Sequence, residues 1–380
     1  MSRTHTLSAD PSLHPGTSLG HVPRACEVAV ASPESPLVLE RGGQLRDAQL
    51  AFERFGPDEP KHIVLVCHAL TGDAHVTRHD PSNPAERPGW WETLVGPGRA
   101  IDTDTTAVLC ANVLGGCSGS TGPASINPET GIRYGPDFPA VTIADVVEAQ
   151  RRMLEQLGIH QRVCVVGGSI GGFQVLEWLR SYPERLSGAA VIGSGPSLGA
   201  YGLAHNEVAR RAIRADARFR DGRYHPDVPP AGGLAAARQL AHLTYRTPEA
   251  FERRFGRRTD NGRFNVAAYL DHKGGSFVRR FDANTYLALL EAMDHFDAMR
   301  DRRLYQGLRR LGGPLLIAAF TSDVLFPASQ SHELAQLANE AGTSHRLEII
   351  HTEEGHDAFL MPSGPLERAV VSLLAAAGEP

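Results

Sequence analysis

The segment 167–171, with the sequence Gly-Gly-Ser-Ile-Gly, constrains this chain more than any other, because it matches the pattern G-x-S-x-G. Arg162–Val166 before it is a short apolar run typical of a buried strand, and Gly172–Leu179 after it has a helical pattern. Ser169 is therefore predicted on a sharp strand-to-helix turn, where glycines leave room for a crowded backbone. The alternative is a glycine-rich turn that binds phosphate at a helix N-terminus. The flanking strand and helix favour a nucleophilic serine.

Short apolar runs alternate with helical patterns along much of the chain. Thr142–Leu157, for example, carries apolar residues at helical spacing. The predicted strands are Ile63–Cys67, Ala107–Ala111, Arg162–Val166, Ala189–Gly193, Leu315–Phe320 and Arg346–Ile350. This alternation predicts the α/β class, with a mostly parallel central sheet and helices on both faces.

Two regions depart from the alternation. Residues 1–36 contain several prolines and few large apolar groups, so we expect a poorly ordered N-terminal extension. Residues 196–299 show helical patterns rich in Arg, Ala and Leu and no strand of the buried type, which predicts a helical insertion. The core is then predicted to consist of residues 37–195 and 300–380.

Composition excludes several classes of protein. The 380 residues are 42% hydrophobic with a formal net charge of −5, which does not fit a disordered chain. No apolar run is long enough to span a membrane, and the chain lacks the basic charge that nucleic-acid binding requires. The five cysteines form no C-x-x-C pair, and the N-terminus has no apolar signal segment. We expect free thiols, no bound metal, no nucleic-acid or membrane partner, and a cytoplasmic location.

A nucleophilic serine needs a base and a residue that orients the base. In the α/β-hydrolase fold these partners follow in the order Ser, Asp or Glu, His, near the ends of later strands. Asp323 and His356 each follow one of the last two predicted strands, so we predict the triad Ser169, Asp323 and His356. His351 is an alternative base, and Asp357 an alternative orienting residue. Asp357 is disfavoured because adjacent residues on an extended segment point in different directions.

The oxyanion formed during acyl transfer needs two backbone N–H donors. In this fold one belongs to the residue after the nucleophile, here Ile170. The other belongs to a loop after an early strand, and loop 67–72 provides Leu70 as the candidate.

Several long blocks, in order, resemble the homoserine O-acyltransferase family of the α/β-hydrolase superfamily. The resemblance extends from about residue 37 to the C-terminus. The blocks are residues 68–76 (His-Ala-Leu-Thr-Gly-Asp-Ala-His-Val), 89–91 (Gly-Trp-Trp), 95–98 (Val-Gly-Pro-Gly), 112–123 (Asn-Val-Leu-Gly-Gly-Cys-Ser-Gly-Ser-Thr-Gly-Pro), 137–139 (Asp-Phe-Pro), 167–172 and 355–357 (Gly-His-Asp).

The resemblance implies transfer of an acyl group, with acetyl as the first choice, from acyl-CoA to the side-chain hydroxyl of L-homoserine in methionine biosynthesis. The route would be ping-pong: Ser169 becomes acylated, His356 moves the proton and Asp323 orients His356. Acyl-CoA would be a co-substrate, and no cofactor would be bound permanently. The helical insertion is similar to the family's lid, which covers the tunnel to the serine and carries the contacts of a homodimer.

Within the lid, Arg238 and Tyr245 match the positions with which the family holds the amino-acid acceptor, and Asp357 matches the position that meets its amine. Arg238 and Tyr245 are seven positions apart, which places them on one face of a helix. An arginine fork binds a carboxylate through two hydrogen bonds, and a tyrosine hydroxyl adds a donor. Spacing alone leaves open that Arg238 forms a structural ion pair within the lid and that Tyr245 only packs there.

Other activities are the alternatives. Serine is one methylene shorter than homoserine, and such a difference is worth only about 1–3 kcal/mol. Succinyl-CoA as donor would require a cation in the acyl pocket. The triad also fits an ester or thioester hydrolase, in which water attacks the acyl-enzyme. A non-catalytic scaffold would have lost a triad member, whereas this chain contains all three.

Overall fold

An eight-stranded sheet forms the centre of the computed structural model, which describes residues 19–22 and 24–378. The strands are β1 (Ala25–Ala31), β2 (Leu37–Val38), β3 (Gln44–Leu45), β4 (Ala48–Phe55), β5 (His62–Cys67), β6 (Val95–Gly96), β7 (Ile101–Asp102), β8 (Thr106–Ala111), β9 (Val163–Gly168), β10 (Leu186–Ile192), β11 (Thr259–Asp260), β12 (Arg263–Phe264), β13 (Leu315–Phe320) and β14 (His345–Ile350). The order across the large sheet is β1-β4-β8-β5-β9-β10-β13-β14.

Helices connect and cover these strands. The α-helices are α1 (Ile143–Gln156), α2 (Ile170–Ser181), α3 (Ala200–Ala215), α4 (Ala231–Tyr245), α5 (Pro248–Arg254), α6 (Asn265–Val278), α7 (Ala283–Asp294), α8 (Arg303–Arg310), α9 (Ala328–Glu340) and α10 (Gly364–Ala377). Short 3-10 helices span Gly135–Asp137, Pro183–Arg185, Arg220–Gly222 and Gly355–Leu360. Among the described residues, no helix is long and apolar enough to cross a lipid bilayer.

Within the large sheet, strands β8, β5, β9, β10, β13 and β14 pair with one another in parallel, whereas β1 and β4 are antiparallel to their neighbours. Strands β5, β9 and β13 are almost entirely buried, as expected for parallel strands covered on both faces. One apolar cluster includes Phe173 of α2 and Val147 of α1. The other includes Val370 of α10 and Trp91. This is the α/β-hydrolase architecture that the sequence predicted, and each predicted strand overlaps an observed one.

The predicted poorly ordered extension of residues 1–36 is wrong for residues 25–31. Strand β1 (Ala25–Ala31) pairs with β4 at the edge of the large sheet. Val28 and Val30 are buried while Glu27 and Ala29 are exposed, so β1 covers the core with one face and meets solvent with the other. Residues 1–18, where poor order was also predicted, lie outside the described residues.

The predicted insertion contains helices α3 to α7, which lie between β10 and β13. It also contains a short hairpin of β11 and β12, which the sequence analysis did not anticipate. We call residues 196–299 the lid. Arg253 of the lid forms ion pairs with Glu353 at 2.8 Å and Glu354 at 2.6 Å, so the lid is tied to the segment just before His356.

Candidate active site

Ser169 lies on a strained turn between β9 and α2. Its backbone has φ 58° and ψ −129°, a conformation that is costly for a residue with a side chain and is typical of functional sites. The flanking glycines are required by close backbone contacts. A Cβ on Gly171 would lie 2.1 Å from the carbonyl oxygen of Cys67, and one on Gly167 would lie 2.3 Å from that of Gly171. The turn therefore raises the serine hydroxyl above the carboxyl end of the sheet.

The structure brings Ser169, His356 and Asp323 together, although they are far apart in the sequence. Nε2 of His356 lies 2.9 Å from Oγ of Ser169, and Nδ1 of His356 lies 2.6 Å from Oδ2 of Asp323. The other carboxylate oxygen of Asp323 accepts hydrogen bonds from the N–H groups of Leu325 at 2.8 Å and Phe326 at 3.0 Å. All three triad side chains are buried. This is the geometry of a serine nucleophile with its base and its orienting carboxylate.

The charge of Asp323 sets the protonation behaviour of His356. Burial by itself lowers the pKa of His356, but the charge and hydrogen bond of Asp323, with a smaller effect from Asp357, outweigh it and raise the pKa above its ordinary value. An imidazolium formed during the reaction is therefore stabilised in the buried site.

The loop that carries His356 is held by contacts to the core and to the lid. Gly355 has φ +73°, and a Cβ there would lie 2.7 Å from the carbonyl oxygen of Tyr245. The buried indole of Trp91 donates a hydrogen bond to the carbonyl of Phe359 at 2.8 Å. The sequence analysis included Trp91 in the family resemblance but predicted no role for it. These contacts position the base from both sides.

Leu70 lies beside the serine, as an oxyanion donor must. Leu70 and Ser169 line the same cavity. The loop before Leu70 is held by buried His68, whose Nδ1–H donates to the carbonyl of Ala69 at 2.7 Å and whose Nε2 accepts from the N–H of Val113 at 3.1 Å. His68 is thus a positioning residue that the sequence analysis did not single out. The signal that could have found it is a polar residue directly after a buried strand.

Ile170, the other predicted oxyanion donor, is the first residue of α2. Its N–H belongs to the positive end of the helix dipole, where negative charge is stabilised. Ile170 and Leu70 thus remain the candidate pair of backbone donors.

Arg238 and Tyr245 lie together on α4, as their spacing predicted. Nη1 of Arg238 lies 3.4 Å from the hydroxyl of Tyr245 and 3.2 Å from Oγ1 of Thr71. The guanidinium also packs over the ring of Phe277, 4.9 Å from its centroid. The Tyr245 ring lies 6.0 Å from that of His356, so this pair is next to the triad.

Arg238 has no carboxylate within ion-pair distance in the described part of the chain. The alternative that Arg238 forms a structural ion pair in the lid is therefore not what the structure shows. Burial and the charges of Arg238, Lys273 and Arg246 lower the pKa of nearby His242 to about 3, so His242 is neutral and adds no positive charge of its own. The surroundings of Arg238 favour an anion.

Asp357 occupies a different environment from the one that the resemblance suggested. Its Oδ2 lies 3.3 Å from Nε of Arg246, which also pairs with Glu354 at 2.7 Å. The carboxylate already has a cationic partner on the lid. An incoming ammonium group would either share the Asp357 carboxylate with Arg246 or displace Arg246 from it.

Comparisons with known proteins show the fold and the family to which this chain belongs. The family model of the alpha/beta hydrolase fold matches residues 62–361. The homoserine O-acetyltransferase of Symbiobacterium thermophilum is 43% identical over 355 residues, which cover 90% of this chain and 92% of that protein. The chain belongs to the homoserine O-acetyltransferase family. It is an acyltransferase family, so the predicted enzyme class and the predicted resemblance are confirmed.

Solved structures with this fold include both family members and hydrolases. The homoserine O-acetyltransferase from Staphylococcus aureus is 28% identical and has a TM-score of 0.72, with 92% of this chain and 94% of that chain covered. Esterase E22 is 26% identical and has a TM-score of 0.81, with 92% and 100% covered. The fold therefore does not by itself choose between an alcohol and water as acyl acceptor.

Proposed function

We propose that this protein transfers an acetyl group from acetyl-CoA to the side-chain hydroxyl of L-homoserine, as a step of methionine biosynthesis. The observation that carries the proposal is the pair Arg238 and Tyr245, which lies beside a complete triad and has no carboxylate partner among the described residues. The names of the relatives in the family support the same substrates.

In the first half-reaction, His356 accepts the proton of Ser169 while the serine oxygen attacks the thioester carbonyl. The N–H groups of Leu70 and Ile170 stabilise the resulting oxyanion. The C–S bond then breaks, and the CoA sulfur takes the proton from Nε2 of His356. Acetyl-Ser169 and free CoA thiol are the products of this half-reaction.

In the second half-reaction, His356 accepts the proton of the homoserine hydroxyl, and the hydroxyl oxygen attacks the ester carbonyl of acetyl-Ser169. The second tetrahedral intermediate collapses, the serine oxygen leaves with the proton held by His356, and O-acetylhomoserine is released. Asp323 stabilises the imidazolium in both halves without accepting its proton.

Arg238 and Tyr245 would bind the carboxylate of homoserine. The planar fork of Arg238 fits a carboxylate through two hydrogen bonds, and the Tyr245 hydroxyl adds a third. Burial raises the pKa of Tyr245, so its hydroxyl remains a proton donor. The amine would contact Asp357. Binding both charged groups orients the hydroxyl toward the acyl-enzyme and favours it over water.

The cavity next to the serine supports acetyl as the acyl group. Among the described residues its lining contains no lysine or arginine, whereas a succinyl carboxylate would need a cation there. The apolar part of the lining consists largely of Leu70, Leu198, Leu240, Met293 and Leu325.

A homodimer through the lid is part of the proposal. Helix α3 exposes Tyr201 and Val208 by 56% and 54%, and Leu243 of α4 is exposed by 50%. Large apolar side chains exposed on neighbouring helices favour burial against a second copy. Sedimentation equilibrium of the full chain, compared with a Tyr201→Ser, Val208→Ser variant, tests this part of the proposal. A wild-type monomer would contradict it.

The reaction is tested by following release of CoA thiol together with product mass. Acetyl-CoA and succinyl-CoA are each offered with homoserine, with serine and with water alone. We expect rapid release that depends on homoserine and acetyl-CoA, with the mass of O-acetylhomoserine. Equal release in water alone would make the protein a thioesterase, and dependence on serine would change the acceptor. A Ser169→Ala variant should form no acyl-enzyme.

Arg238→Lys tests acceptor binding. Loss of a bidentate hydrogen bond to a charged group costs about 1.5–3 kcal/mol, so kcat/KM for homoserine should fall roughly 10- to 150-fold. The parameters for acetyl-CoA in the first half-reaction should change little. Arg211→Lys is the matched control, because the Arg211 side chain is 78% exposed on the lid and pairs only with Glu207 among the described residues. A change confined to acetyl-CoA would contradict the assignment.

A further inference from the structure

Three potential metal ligands converge outside the triad. Glu53 lies on β4, and His75 and His79 lie on the segment that follows the Leu70 loop. Oε2 of Glu53 is 2.8 Å from Nδ1 of His75 and 2.9 Å from Nε2 of His79. The candidate ligand atoms of the three residues all lie within 4.8 Å of one another. We call these residues the Glu-His-His cluster.

The hydrogen bonds of His75 resemble those of a metal ligand. Its Nε2 lies 2.7 Å from the carbonyl oxygen of Arg87. A carbonyl can only accept, so Nε2 carries a proton, and Nδ1 is the ring nitrogen that faces the Glu53 carboxylate. Metal-bound histidines typically donate the other ring N–H to a carbonyl or carboxylate, which fixes the ring orientation. The Arg87 carbonyl has this role here.

The cluster is held in place before any ion binds. The Phe55 ring stacks on the His79 ring at a centroid distance of 4.4 Å and an interplanar angle of 20°. The backbone N–H of His79 donates to Oε1 of Glu86 at 2.7 Å, and the backbone N–H of Trp90 donates to the carbonyl of His75 at 3.2 Å. Rigid ligands lose little conformational freedom on binding, which increases affinity.

The cluster is partly open to solvent. The side chains of His75, Glu53 and His79 are exposed by 9%, 21% and 26%. A small cation can therefore enter, and a water molecule can complete its coordination. The carboxylate also neutralises part of the charge of a divalent ion.

We propose that Glu53, His75 and His79 bind a divalent transition-metal cation of the Zn²⁺ class, with Nδ1 of His75, Nε2 of His79 and the Glu53 carboxylate as ligands. Two imidazoles and one carboxylate suit zinc, whereas magnesium and calcium prefer oxygen ligands alone. The sequence analysis anticipated no metal, because it considered ligand motifs and cysteines rather than residues from separate elements.

The metal would act as a structural clamp. It would join strand β4 to the segment 68–80, which also carries Leu70, the candidate oxyanion donor. The ion would take no part in acyl transfer. The proposal is thus independent of which acyl acceptor the enzyme uses.

The test measures zinc binding to the full-length enzyme. The enzyme is first treated with a chelator, and the chelator is removed before zinc is added. Equilibrium dialysis against zinc chloride with elemental analysis measures the stoichiometry, and thermal unfolding measures the stabilisation. We expect one zinc per chain and a higher melting temperature with zinc than without. His79→Ala and Glu53→Gln should each weaken binding about tenfold or more.

Two matched variants separate this site from others. His225→Ala removes a histidine that pairs with Asp227 at 3.5 Å and belongs to no group of three potential ligands in the described part of the chain, so this variant should retain full zinc binding. His356→Ala removes the triad histidine. Zinc binding should be lost in this variant if the ion binds at the catalytic centre, and retained if it binds at the Glu-His-His cluster. Circular dichroism confirms that each variant is folded.

A second measurement needs no variant. Anomalous diffraction at the zinc absorption edge should locate the ion between the three side chains. The proposal is overturned if micromolar zinc does not bind, if His79→Ala binds zinc as tightly as the wild type, or if the anomalous peak lies elsewhere.

Discussion

Replacing Asp323 with asparagine should reverse the tautomer of His356. Oδ1 of Asp323 accepts from the N–H groups of Leu325 and Phe326, while Oδ2 faces Nδ1 of His356 at 2.6 Å. In the variant, the amide oxygen keeps the two backbone donors, which places the NH₂ group where Oδ2 was. Because NH₂ is a donor, Nδ1 of His356 must accept, and the ring proton moves to Nε2, facing Ser169.

The expected effect on catalysis follows from that proton. A protonated Nε2 cannot accept the Ser169 proton, although the two atoms remain 2.9 Å apart. The same substitution in a serine protease lowers kcat by roughly 10⁴-fold, which corresponds to about 5 kcal/mol in the barrier. We expect kcat for CoA release to fall by about 10³- to 10⁴-fold and KM for acetyl-CoA to change little.

Single-turnover release of CoA thiol measures this effect directly on acylation of the serine. Asp357→Asn, compared at a pH above the acidic limb where His356 is neutral in both enzymes, is the control, because Asp357 is adjacent to His356 but pairs with Arg246 of the lid instead. Thermal unfolding checks that Asp323→Asn remains folded. An Asp323→Asn enzyme that retains more than a tenth of the wild-type kcat would refute the tautomer argument.

Two further predictions concern pH and backbone crowding. The charge of Asp357 raises the pKa of His356, and only neutral His356 accepts a proton. Asp357→Asn should therefore move the acidic limb of the pH profile for the rate of acyl-enzyme formation to lower pH. A limb that stays in place or moves to higher pH would contradict this prediction. Gly171→Ala should lower the free energy of unfolding by about 3 kcal/mol or more, measured by urea denaturation, because its Cβ meets the backbone of Cys67 at 2.1 Å. Gly275 lies in α6, and a Cβ there would have its closest contact at 3.9 Å, so Gly275→Ala should instead raise the free energy of unfolding by at most about 1 kcal/mol. Equal effects of the two substitutions would contradict the crowding argument.

The sequence predicted the parallel strands because each is a short apolar run, buried on both faces. Leu315–Phe320 was predicted with the bounds that the structure has. Strand β4 (Ala48–Phe55) was not predicted, since its polar residues alternate with apolar ones and no continuous apolar run marks it. Strand β1 does contain an apolar run, Val28–Ala31, which the predicted N-terminal extension included. An alternating strand such as β4 needs the period-two test rather than a count of apolar residues.

The candidate site was predictable where the chemistry depends on local sequence or on chain order. The elbow around Ser169 is a local motif, and His356 and Asp323 could be assigned from their order after the last strands. The contacts of Asp357 could not be predicted, because its partner Arg246 lies 111 positions away on the lid. Nor could the Glu-His-His cluster, because Glu53 comes from a strand that the apolar pattern did not reveal.

The sequence by itself determined the order of the buried parallel strands, the strained serine turn and the residue types available for catalysis, since these depend on short-range periodicity and on backbone sterics. Only the tertiary structure decided which charges meet. Among the residues that the structure describes, it left Arg238 beside the triad without a carboxylate partner, and it paired Asp357 with Arg246. Such pairings depend on how the lid packs over the core, where long-range contacts and desolvation, rather than neighbours in the chain, set the energy of each charge.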